Sequence, residues 1–419
     1  MHLAAIGVNH QNAPVAVREK VAIAGYRLDE VLMGLKQYLP QAVILSTCNR
    51  TEIYTMDDGN QGSELAAQTF LGNRMNGLSE DWRQYLYLIH DLSAAEHLLR
   101  VASGLESMVV GEYEVLGQVR VALESAQKAG VINLPLRYIF TTAIRTGRAV
   151  RERTEISKNP ISVSSVAVDL AARAVTDLGT SKLLVIGAGE AGQLVTKVAY
   201  ERGVRRIVIG SRTQARAQEL AAIFQGKAIN LENLETELAD ADIVVTCATA
   251  PHRLVGIDQV AKIMNQRPAN PLVIVDIAVP RNVTPEVGSI PNVFLYSIDD
   301  LTNISNTNRL KREGSIQQVE VIIAAEMKKL SAWWREHEIR PLISALMGKA
   351  EVIRATQLEK TLKNFHSLSC EQRENLESMT RAIVNRILQD PVQYLKNNGN
   401  SKQSQLLREI FGINAENSG

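Results

Sequence analysis

Three closely spaced glycines constrain this chain of 419 residues more than any other feature. Gly187, Gly189 and Gly192 follow an apolar run at residues 183–186 and open a stretch with helical periodicity. In such a strand–turn–helix, glycine lets the backbone approach a pyrophosphate, and the helix N-terminus offers N–H donors and a positive dipole end. The alternative is a tight turn without a ligand. We predict a dinucleotide cradle formed by Gly187, Ala188, Gly189, Glu190, Ala191 and Gly192.

The end of the next strand indicates which dinucleotide is bound. An NAD site places an acidic side chain there to bind the ribose 2′-hydroxyl. This chain has Ser211, Arg212 and Thr213 instead. A guanidinium and two hydroxyls suit a 2′-phosphate, so the sequence favours NADPH. The alternative is a solvated surface arginine.

Apolar runs and helical stretches alternate on both sides of this motif. Strands without polar alternation that are separated by helices are typical of a parallel sheet covered on both faces. A turn at residues 157–160 precedes the region, and we assign residues 157–300 to a Rossmann domain. Its strands are expected at residues 183–186, 207–209, 228–229, 243–246 and 272–275.

The regions on either side have different patterns. Residues 1–156 mix short strands, such as 3–8 and 42–46, with helical segments, which predicts an α/β or α+β domain of undetermined sheet order. Residues 301–419 are predicted to be all helical. A helix over residues 299–336 would be about 57 Å long at about 1.5 Å per residue. Its apolar stripe, and a second one in the last third, predict a partner surface; they comprise Ile316, Val319, Ile323, Met327, Leu330 and Trp334, and Leu376, Met379, Ile383 and Ile387.

Cys48 lies where an apolar strand gives way to a polar loop that contains Arg50. A thiol of ordinary pKa is mostly un-ionised near neutral pH, so a nucleophilic cysteine needs a nearby cation. From the residues alone, a nucleophile and a structural thiol are equally compatible with this position. Cys247 and Cys370 are predicted to be structural. With no paired cysteine motif, no metal site or disulfide framework is predicted, and reduced thiols suit the cytoplasm.

Three further groups of polar residues are candidates for function. His97 lies on a predicted helix and His10 after the first strand; either is a satisfied polar residue unless it faces Cys48. Glu112 and Glu114 lie between glycines, as first-turn acids of a helix or as a pocket for an amino group. Arg145, Arg148 and Arg151 share a broad helix face, which is either solvated or a contact for a phosphate backbone.

Bulk charge and hydropathy exclude some classes of protein. The formal net charge is only +1, with 46 Lys and Arg against 45 Asp and Glu, so a nucleic-acid partner would need a local basic patch. No apolar run is long enough to predict a membrane span.

Taken together, these motifs resemble the glutamyl-tRNA reductase family over essentially the whole chain. The strongest points are Gly7-Val8-Asn9-His10 with Ala13-Pro14-Val15, the run from Ser46 to Glu52 around Cys48, and the run from Arg100 to Ser107. The last two are specific to that family. The glycine motif, Ser211-Arg212-Thr213 and the run from Val275 to Arg281 add to the resemblance.

The resemblance implies a catalytic domain (1–156), an NADPH domain (157–300) and a long spinal helix leading to a helical dimerisation domain (301–419) of a homodimer. It implies reduction of glutamyl-tRNA to glutamate 1-semialdehyde, the first step of tetrapyrrole synthesis, through a thioester on Cys48, with His97 critical for activity. The next enzyme, glutamate-1-semialdehyde aminomutase, is a possible partner. The implied substrate-binding set is Thr47, Cys48, Asn49, Arg50, Ser107, Glu112, Tyr113, Glu114 and Gln118.

One position departs from the family pattern. Family members often carry Pro-Gln or Thr-Gln after the first glutamate, whereas this chain has Tyr113-Glu114, which puts the role of Glu114 in doubt. Two rival functions differ from the family assignment: an NADP-dependent dehydrogenase of the shikimate type, which would need neither Cys48 nor the helical tail, and a non-catalytic NADP-sensing scaffold that binds tRNA.

Overall fold

The computed structural model describes residues 2–57, 62–75, 81–157, 163–175, 177–250, 252–301, 313–365, 368–398 and 401–413. The chain divides into two compact units, residues 1–324 and 325–419. The predicted turn at 157–160 and the predicted helix start at 299 fall partly on residues 158–162 and 302–312, which lie outside the described ranges. No helix among the described residues is long and apolar enough to cross a membrane.

The first unit begins with a four-stranded antiparallel sheet flanked by helices, an α+β arrangement. Its strands are β1 (His2–Asn9), β2 (Ala42–Ser46), β3 (Arg50–Asp57) and β4 (Tyr87–His90), in the order β2-β3-β1-β4. The accompanying helices are α1 (Val15–Val21), α2 (Leu28–Leu35), α3 (Gly62–Met75), α4 (Asp91–Ala102), α5 (Glu114–Ala129) and α6 (Leu134–Arg153).

A six-stranded parallel sheet forms the rest of the first unit. Its strands are β5 (Lys182–Ile186), β6 (Arg206–Gly210), β7 (Lys227–Ile229), β8 (Ile243–Thr246), β9 (Leu272–Asp276) and β10 (Val293–Ser297). The helices around it are α7 (Val163–Ala174), α8 (Glu190–Glu201), α9 (Gln214–Ile223), α10 (Leu234–Ala239) and α11 (Ile257–Gln266).

The strand order, β10-β9-β8-β5-β6-β7, is that of dinucleotide-binding domains and confirms the predicted Rossmann domain. Strands β6 and β7 are added on one side of β5, and strands β8 to β10 are added on its other side. Sheets of this kind bind ligands at the point where the strand order changes, here between β5 and β8. Alternate residues of each strand enter cores on opposite faces, with Leu183 and Val185 on one side and Leu184 and Ile186 on the other. This double coverage explains the uninterrupted apolar runs in the sequence.

The remaining helices are α12 (Glu313–Leu362), α13 (Cys370–Asn398) and α14 (Ser401–Ile410). Helix α12 has 50 residues and continues through Pro341, so the predicted end near residue 336 is wrong. Within the second unit, Arg354 Nη1 donates to Thr380 Oγ1 at 3.2 Å and so joins α12 to α13. Lys349 Nζ donates to the carbonyl oxygens of Phe411 and Gly412 at 2.7 and 2.9 Å.

The two predicted apolar stripes differ in exposure. On α12, Val319, Ile323, Leu330 and Trp334 are buried, so the expectation that this stripe lacks cover is wrong. On α13, Met379, Ile383 and Ile387 are half or more exposed and lie four residues apart, on one face of the helix. Of the two predicted stripes, the one on α13 is therefore the one that remains exposed.

Candidate active site

Cys48 lies in the turn of the hairpin that joins β2 to β3. Thr47 N donates to Arg50 O at 2.8 Å and closes the turn, and Thr47 Oγ1 accepts from the backbone N–H groups of Asn49 and Arg50 at 3.1 and 3.2 Å. A threonine that binds the backbone in this way stabilises a tight turn. The turn leaves Cys48 half-buried, whereas Asn49 and Arg50 are buried. Asn49 Oδ1 has no hydrogen-bond partner within the described structure.

The cation that acts on the thiol is Arg18 and not Arg50, which corrects the expectation from the sequence. Arg18 Nη1 donates to the carbonyl oxygen of Cys48 at 2.5 Å, and its charge lowers the pKa of the thiol. Burial and the carboxylates of Glu112 and Glu114 act more strongly in the opposite direction and raise the pKa of Cys48 to about 12. The resting thiol is therefore protonated at neutral pH.

Arg50 instead belongs to a buried network around Glu52, which the sequence reading missed. Arg50 Nη1 and the Tyr54 hydroxyl each donate to Glu52 at 2.6 Å, and the Tyr87 hydroxyl donates to it as well. Glu52 is fully buried, yet the charges of Arg50 and His97 together with these hydrogen bonds outweigh burial and hold its pKa well below the usual range. Arg50, Glu52 and Tyr54 occupy alternate positions of β3 and share one face.

His97 is part of the same network. Its Nε2 lies 3.0 Å from Glu52 Oε1, and its ring meets that of Tyr87 edge-on at 5.7 Å. Because the Glu52 carboxylate only accepts hydrogen bonds, His97 Nε2 is the donor in this contact. Burial, Arg50 and Arg18 lower the pKa of His10 to about 4, and its Nδ1 has no partner in the described structure.

A glycine-closed loop carries the acidic residues towards Cys48. Gly104 and Gly111 have φ of +78° and +85°, and Gly111 N donates to Gly104 O at 3.0 Å, so the loop starts and ends at positions that favour glycine. Ser107 is buried and its side chain forms a hydrogen bond with that of Glu112. Burial raises the pKa of Glu112. Burial, Glu112 and Glu190 raise the pKa of Glu114 to about 7.

The remaining predicted substrate residues flank this loop. Tyr113 is 52% exposed and lies under the guanidinium of Arg151, which is 5.8 Å from the ring centre. Gln118 is half-buried on α5, one turn after Glu114 and on the same face. Arg151 also donates to the carbonyl oxygen of Glu112 at 2.9 Å, so it does not share an exposed face with Arg145 and Arg148 as the sequence suggested.

The glycine turn after β5 fits a dinucleotide. Gly187 has φ of +124°, and a Cβ on Gly192 would lie 2.0 Å from the Gly187 carbonyl oxygen, so both positions need glycine. At Gly189 an added Cβ would meet no atom within 4 Å, which leaves open space at the N-terminus of α8 for a pyrophosphate. The predicted residues Ala188, Glu190 and Ala191 complete this turn.

A cavity of about 480 Å³ extends from this turn to Ser211, Arg212 and Thr213. Arg212 is exposed, and its Nη2 donates to Thr249 O at 3.1 Å, which holds the guanidinium at the edge of the cavity. Thr213 N donates to Ser211 Oγ at 3.2 Å. A second cavity, of about 1200 Å³, lies between Gly189 and Glu190 on one side and Glu112 and Glu114 on the other. The glycine turn at residues 187–192 and the acidic loop, by which we mean residues 112–114, thus line one cleft.

The other two cysteines lie elsewhere. Cys247 packs against the sheet core next to the glycine turn, and burial raises its pKa to about 12, as expected of a structural thiol. Cys370, also predicted to be structural, is exposed at the start of α13.

Contacts between the hairpin region and the parallel-sheet domain bring the thiol close to that domain. Cys48 packs with Val279 and Ile298 in a small apolar cluster. Arg18 pairs with Asp299, and Glu19 pairs with Arg281 and Arg253 at 2.9 and 3.1 Å. These pairs join α1 to the loops after β8, β9 and β10. They also give a structural role to Arg281, the last residue of the run from Val275 to Arg281.

Comparison with known proteins is consistent with this architecture. Family models for the glutamyl-tRNA reductase N-terminal domain, shikimate/quinate 5-dehydrogenase and the glutamyl-tRNA reductase dimerisation domain match residues 6–154, 169–304 and 318–413. The predicted boundaries at 156/157 and 300/301 stay predictions.

Curated relatives match the entire length of the chain. The chain is 38% identical to a glutamyl-tRNA reductase of Moorella thermoacetica, over 99% of this chain and 96% of that protein, and 35% identical to one of Natranaerobius thermophilus, over 99% and 93%. The solved glutamyl-tRNA reductase of Methanopyrus kandleri is 31% identical, with a TM-score of 0.53 over 98% of this chain and 99% of that one. The chain belongs to the glutamyl-tRNA reductase family.

Proposed function

We propose that this chain reduces glutamyl-tRNA to glutamate 1-semialdehyde with NADPH and releases tRNA, as the first step of tetrapyrrole synthesis. The observation that carries the proposal is the placement of Cys48, in a hairpin turn between Arg18, an acidic loop and the Rossmann domain. A dehydrogenase of the shikimate type would need neither this thiol nor the helical tail that the family model matches.

The acidic loop is the proposed site for the amino end of the substrate. Glu112 and Glu114 lie close enough to the thiol to raise its pKa. Their two carboxyl groups would suit a cation such as the α-ammonium of the glutamyl group. Asn49 Oδ1 is a buried acceptor that lacks a donor among the described residues. The full proposed set is Thr47, Cys48, Asn49, Arg50, Ser107, Glu112, Tyr113, Glu114 and Gln118.

Substrate binding would also activate the thiol. The ammonium group would offset the negative charges that raise the pKa of Cys48, while Arg18 stays in place to stabilise the thiolate. The thiol therefore becomes a nucleophile mainly when its substrate is bound. This coupling follows from the sign of each charge around the sulfur.

The reaction on the protein is acyl transfer. The Cys48 thiolate attacks the ester carbonyl, the bond to the tRNA oxygen breaks, and the freed tRNA hydroxyl takes up the proton that the thiol lost. NADPH, when bound by the glycine turn and Arg212, would supply the hydride that converts the thioester to the aldehyde. The bond to sulfur would break in that step and return Cys48 as the thiolate. His97, held at Nε2 by Glu52, is a proposed positioning residue.

The test is to incubate the protein with tRNA that carries labelled glutamate, with and without NADPH. Without NADPH the label should become attached to the protein and be released by hydroxylamine, as expected of a thioester. Cys48→Ser should abolish both attachment and reduction, because an alkoxide is far harder to form than a thiolate near neutral pH. Cys247→Ser is the matched control and should retain both. Turnover by Cys48→Ser would indicate direct hydride attack on the ester.

Three associations complete the proposal: a homodimer in the cytoplasm, tRNA contact through Arg145 and Arg148, and docking of the aminomutase that uses the aldehyde. Removing the charges of Arg145 and Arg148 should flatten the salt dependence of the tRNA KM.

Docking of the aminomutase predicts that the purified aminomutase and this protein sediment together as one complex. Two independently sedimenting species would rule docking out.

A further inference from the structure

Two histidines and a glutamate meet at one edge of the antiparallel sheet, among side chains that the proposed reaction does not use. His2 begins β1, His90 ends β4, and Glu64 lies in the first turn of α3. Their ligand atoms all lie within 4.8 Å of one another. No other such group of three histidine, cysteine or acidic residues occurs in the described parts of the chain.

The geometry is that of a partly assembled metal site. His90 Nε2 and His2 Nε2 lie 2.9 and 3.4 Å from the same oxygen, Glu64 Oε2. Ligands of tetrahedral zinc lie about 2.0–2.2 Å from the ion and hence about 3.4 Å from one another. An ion would need only small side-chain movements, because the three ligand atoms already converge.

Surrounding residues orient the three ligands. Asp91 Oδ1 lies 3.2 Å from His2 Nδ1 and accepts from Leu3 N at 3.1 Å, so the Nε2 atom of His2 is the one directed at Glu64. Asp91 adopts φ of +52°, an unfavourable conformation for a non-glycine residue that recurs at functional sites. Gln68 Nε2 donates to the other Glu64 oxygen at 3.2 Å. A carboxylate behind a histidine ligand is the usual outer shell of zinc.

We propose that His2, Glu64 and His90 bind a divalent transition-metal ion, with Zn²⁺ the best match. Two imidazoles and a carboxylate suit zinc, and the 42% exposure of the His90 side chain leaves room for water as a fourth ligand. The ion would join β1, α3 and β4 just ahead of α4, the helix that carries His97. Its role is therefore structural.

Titration of the full-length protein with Zn²⁺ after chelator treatment and dialysis tests the site. Calorimetry should show one more bound ion in the unmodified protein than in His90→Ala. Co²⁺ should give the visible absorption of a four-coordinate ion, and this should be lost in Glu64→Gln. Asp91→Asn, in which asparagine tolerates the same backbone conformation, should weaken binding about 10- to 100-fold.

The control is His337→Ala, which removes a histidine that stacks on Trp333 outside the cluster and should leave the ion count unchanged. Far-UV circular dichroism checks that each variant is folded. Equal ion counts and affinities in the unmodified protein, His90→Ala and Glu64→Gln would overturn the proposal. In that case the cluster is only a set of hydrogen bonds between histidine and glutamate.

Discussion

Glu52 shows how a single buried charge can organise a site. Its carboxylate binds Arg50, Tyr54, Tyr87 and His97, so one side chain fixes two residues of the proposed machinery. The sequence reading singled out Arg50 and His97 but not the acid between them. Every residue of β3 from Arg50 to Met56 is buried. Because buried strands are expected to be apolar, the polar residues at the start of β3 are interpreted from the sequence as part of a loop.

Glu52→Gln should be strongly destabilising. The change leaves the buried Arg50 guanidinium without its counter-charge, and breaking a buried pair in this way costs about 3–5 kcal/mol. Urea unfolding would measure the loss. Glu96→Gln removes a negative charge from a solvent-exposed position on α4 and should change the free energy of unfolding little. Equal effects of the two substitutions would contradict this account of the network.

Glu114 should make the protein less stable as pH rises through neutrality. Burial, Glu112 and Glu190 raise its pKa to about 7 from the usual 4.5, so folding favours the neutral acid. This contribution is fully present below pH 4.5 and is lost as the pH rises through 7. Glutamine keeps the neutral shape, so Glu114→Gln should unfold at a higher temperature than the unmodified protein at about pH 8, with a smaller difference at about pH 5.

The same substitution tests what the departure from the family pattern means. If the carboxylate charge of Glu114 binds the substrate ammonium, Glu114→Gln should raise the KM for glutamyl-tRNA many-fold above neutral pH, where the carboxyl group is ionised. Glu124→Gln, on the exposed side of α5, is the control for a simple change in charge. A near-normal KM in Glu114→Gln at every pH would instead show that the charge of Glu114 does not bind substrate.

At the scale of elements, the predictable parts are those governed by periodicity. The apolar runs predict five strands of the parallel sheet. The helical periodicity of residues 115–129 and 134–151 predicts helices α5 and α6 within two residues of their observed bounds. β10 and β4 also contain short apolar runs, at residues 293–296 and 87–89, but the sequence reading missed both. They are edge strands of four or five residues in which only Val293 is buried, so they lack the fully buried pattern of the central strands. The continuation of α12 through Pro341 could not be predicted, because a proline inside a helix removes a hydrogen bond.

The glycine turn predicts different outcomes for two neighbouring substitutions. Gly189→Ala adds a methyl group that meets no protein atom, so the protein should fold normally but bind NADPH at least ten-fold more weakly. Gly192→Ala places its methyl group 2.0 Å from the Gly187 carbonyl oxygen, so it should lower the unfolding temperature. Fluorescence titration and thermal unfolding separate the two effects. Unchanged NADPH affinity in Gly189→Ala would move the pyrophosphate away from this turn.

At the scale of the whole molecule, the exposed stripe of α13 should hold the homodimer together. Ile383 and Ile387 are 50% and 66% exposed within residues that match the dimerisation model. The double substitution Ile383→Glu and Ile387→Glu should therefore give monomers in light scattering, since burying two carboxylates in an apolar interface is costly. Val321→Glu, at an exposed position of α12, is the control and should stay dimeric. Dimers of the double variant would place the interface elsewhere.

The protonated state of the resting Cys48 thiol has a consequence for how the protein survives in a cell. Peroxides and alkylating agents react with thiolates far faster than with thiols. A sulfur whose pKa is about 12 is therefore poorly reactive towards such agents, although it lies only half-buried in a turn. Burial, and the charges proposed to delay catalysis until glutamate arrives, would also protect the idle enzyme from oxidative inactivation, so its working lifetime would depend on how often it is loaded with substrate.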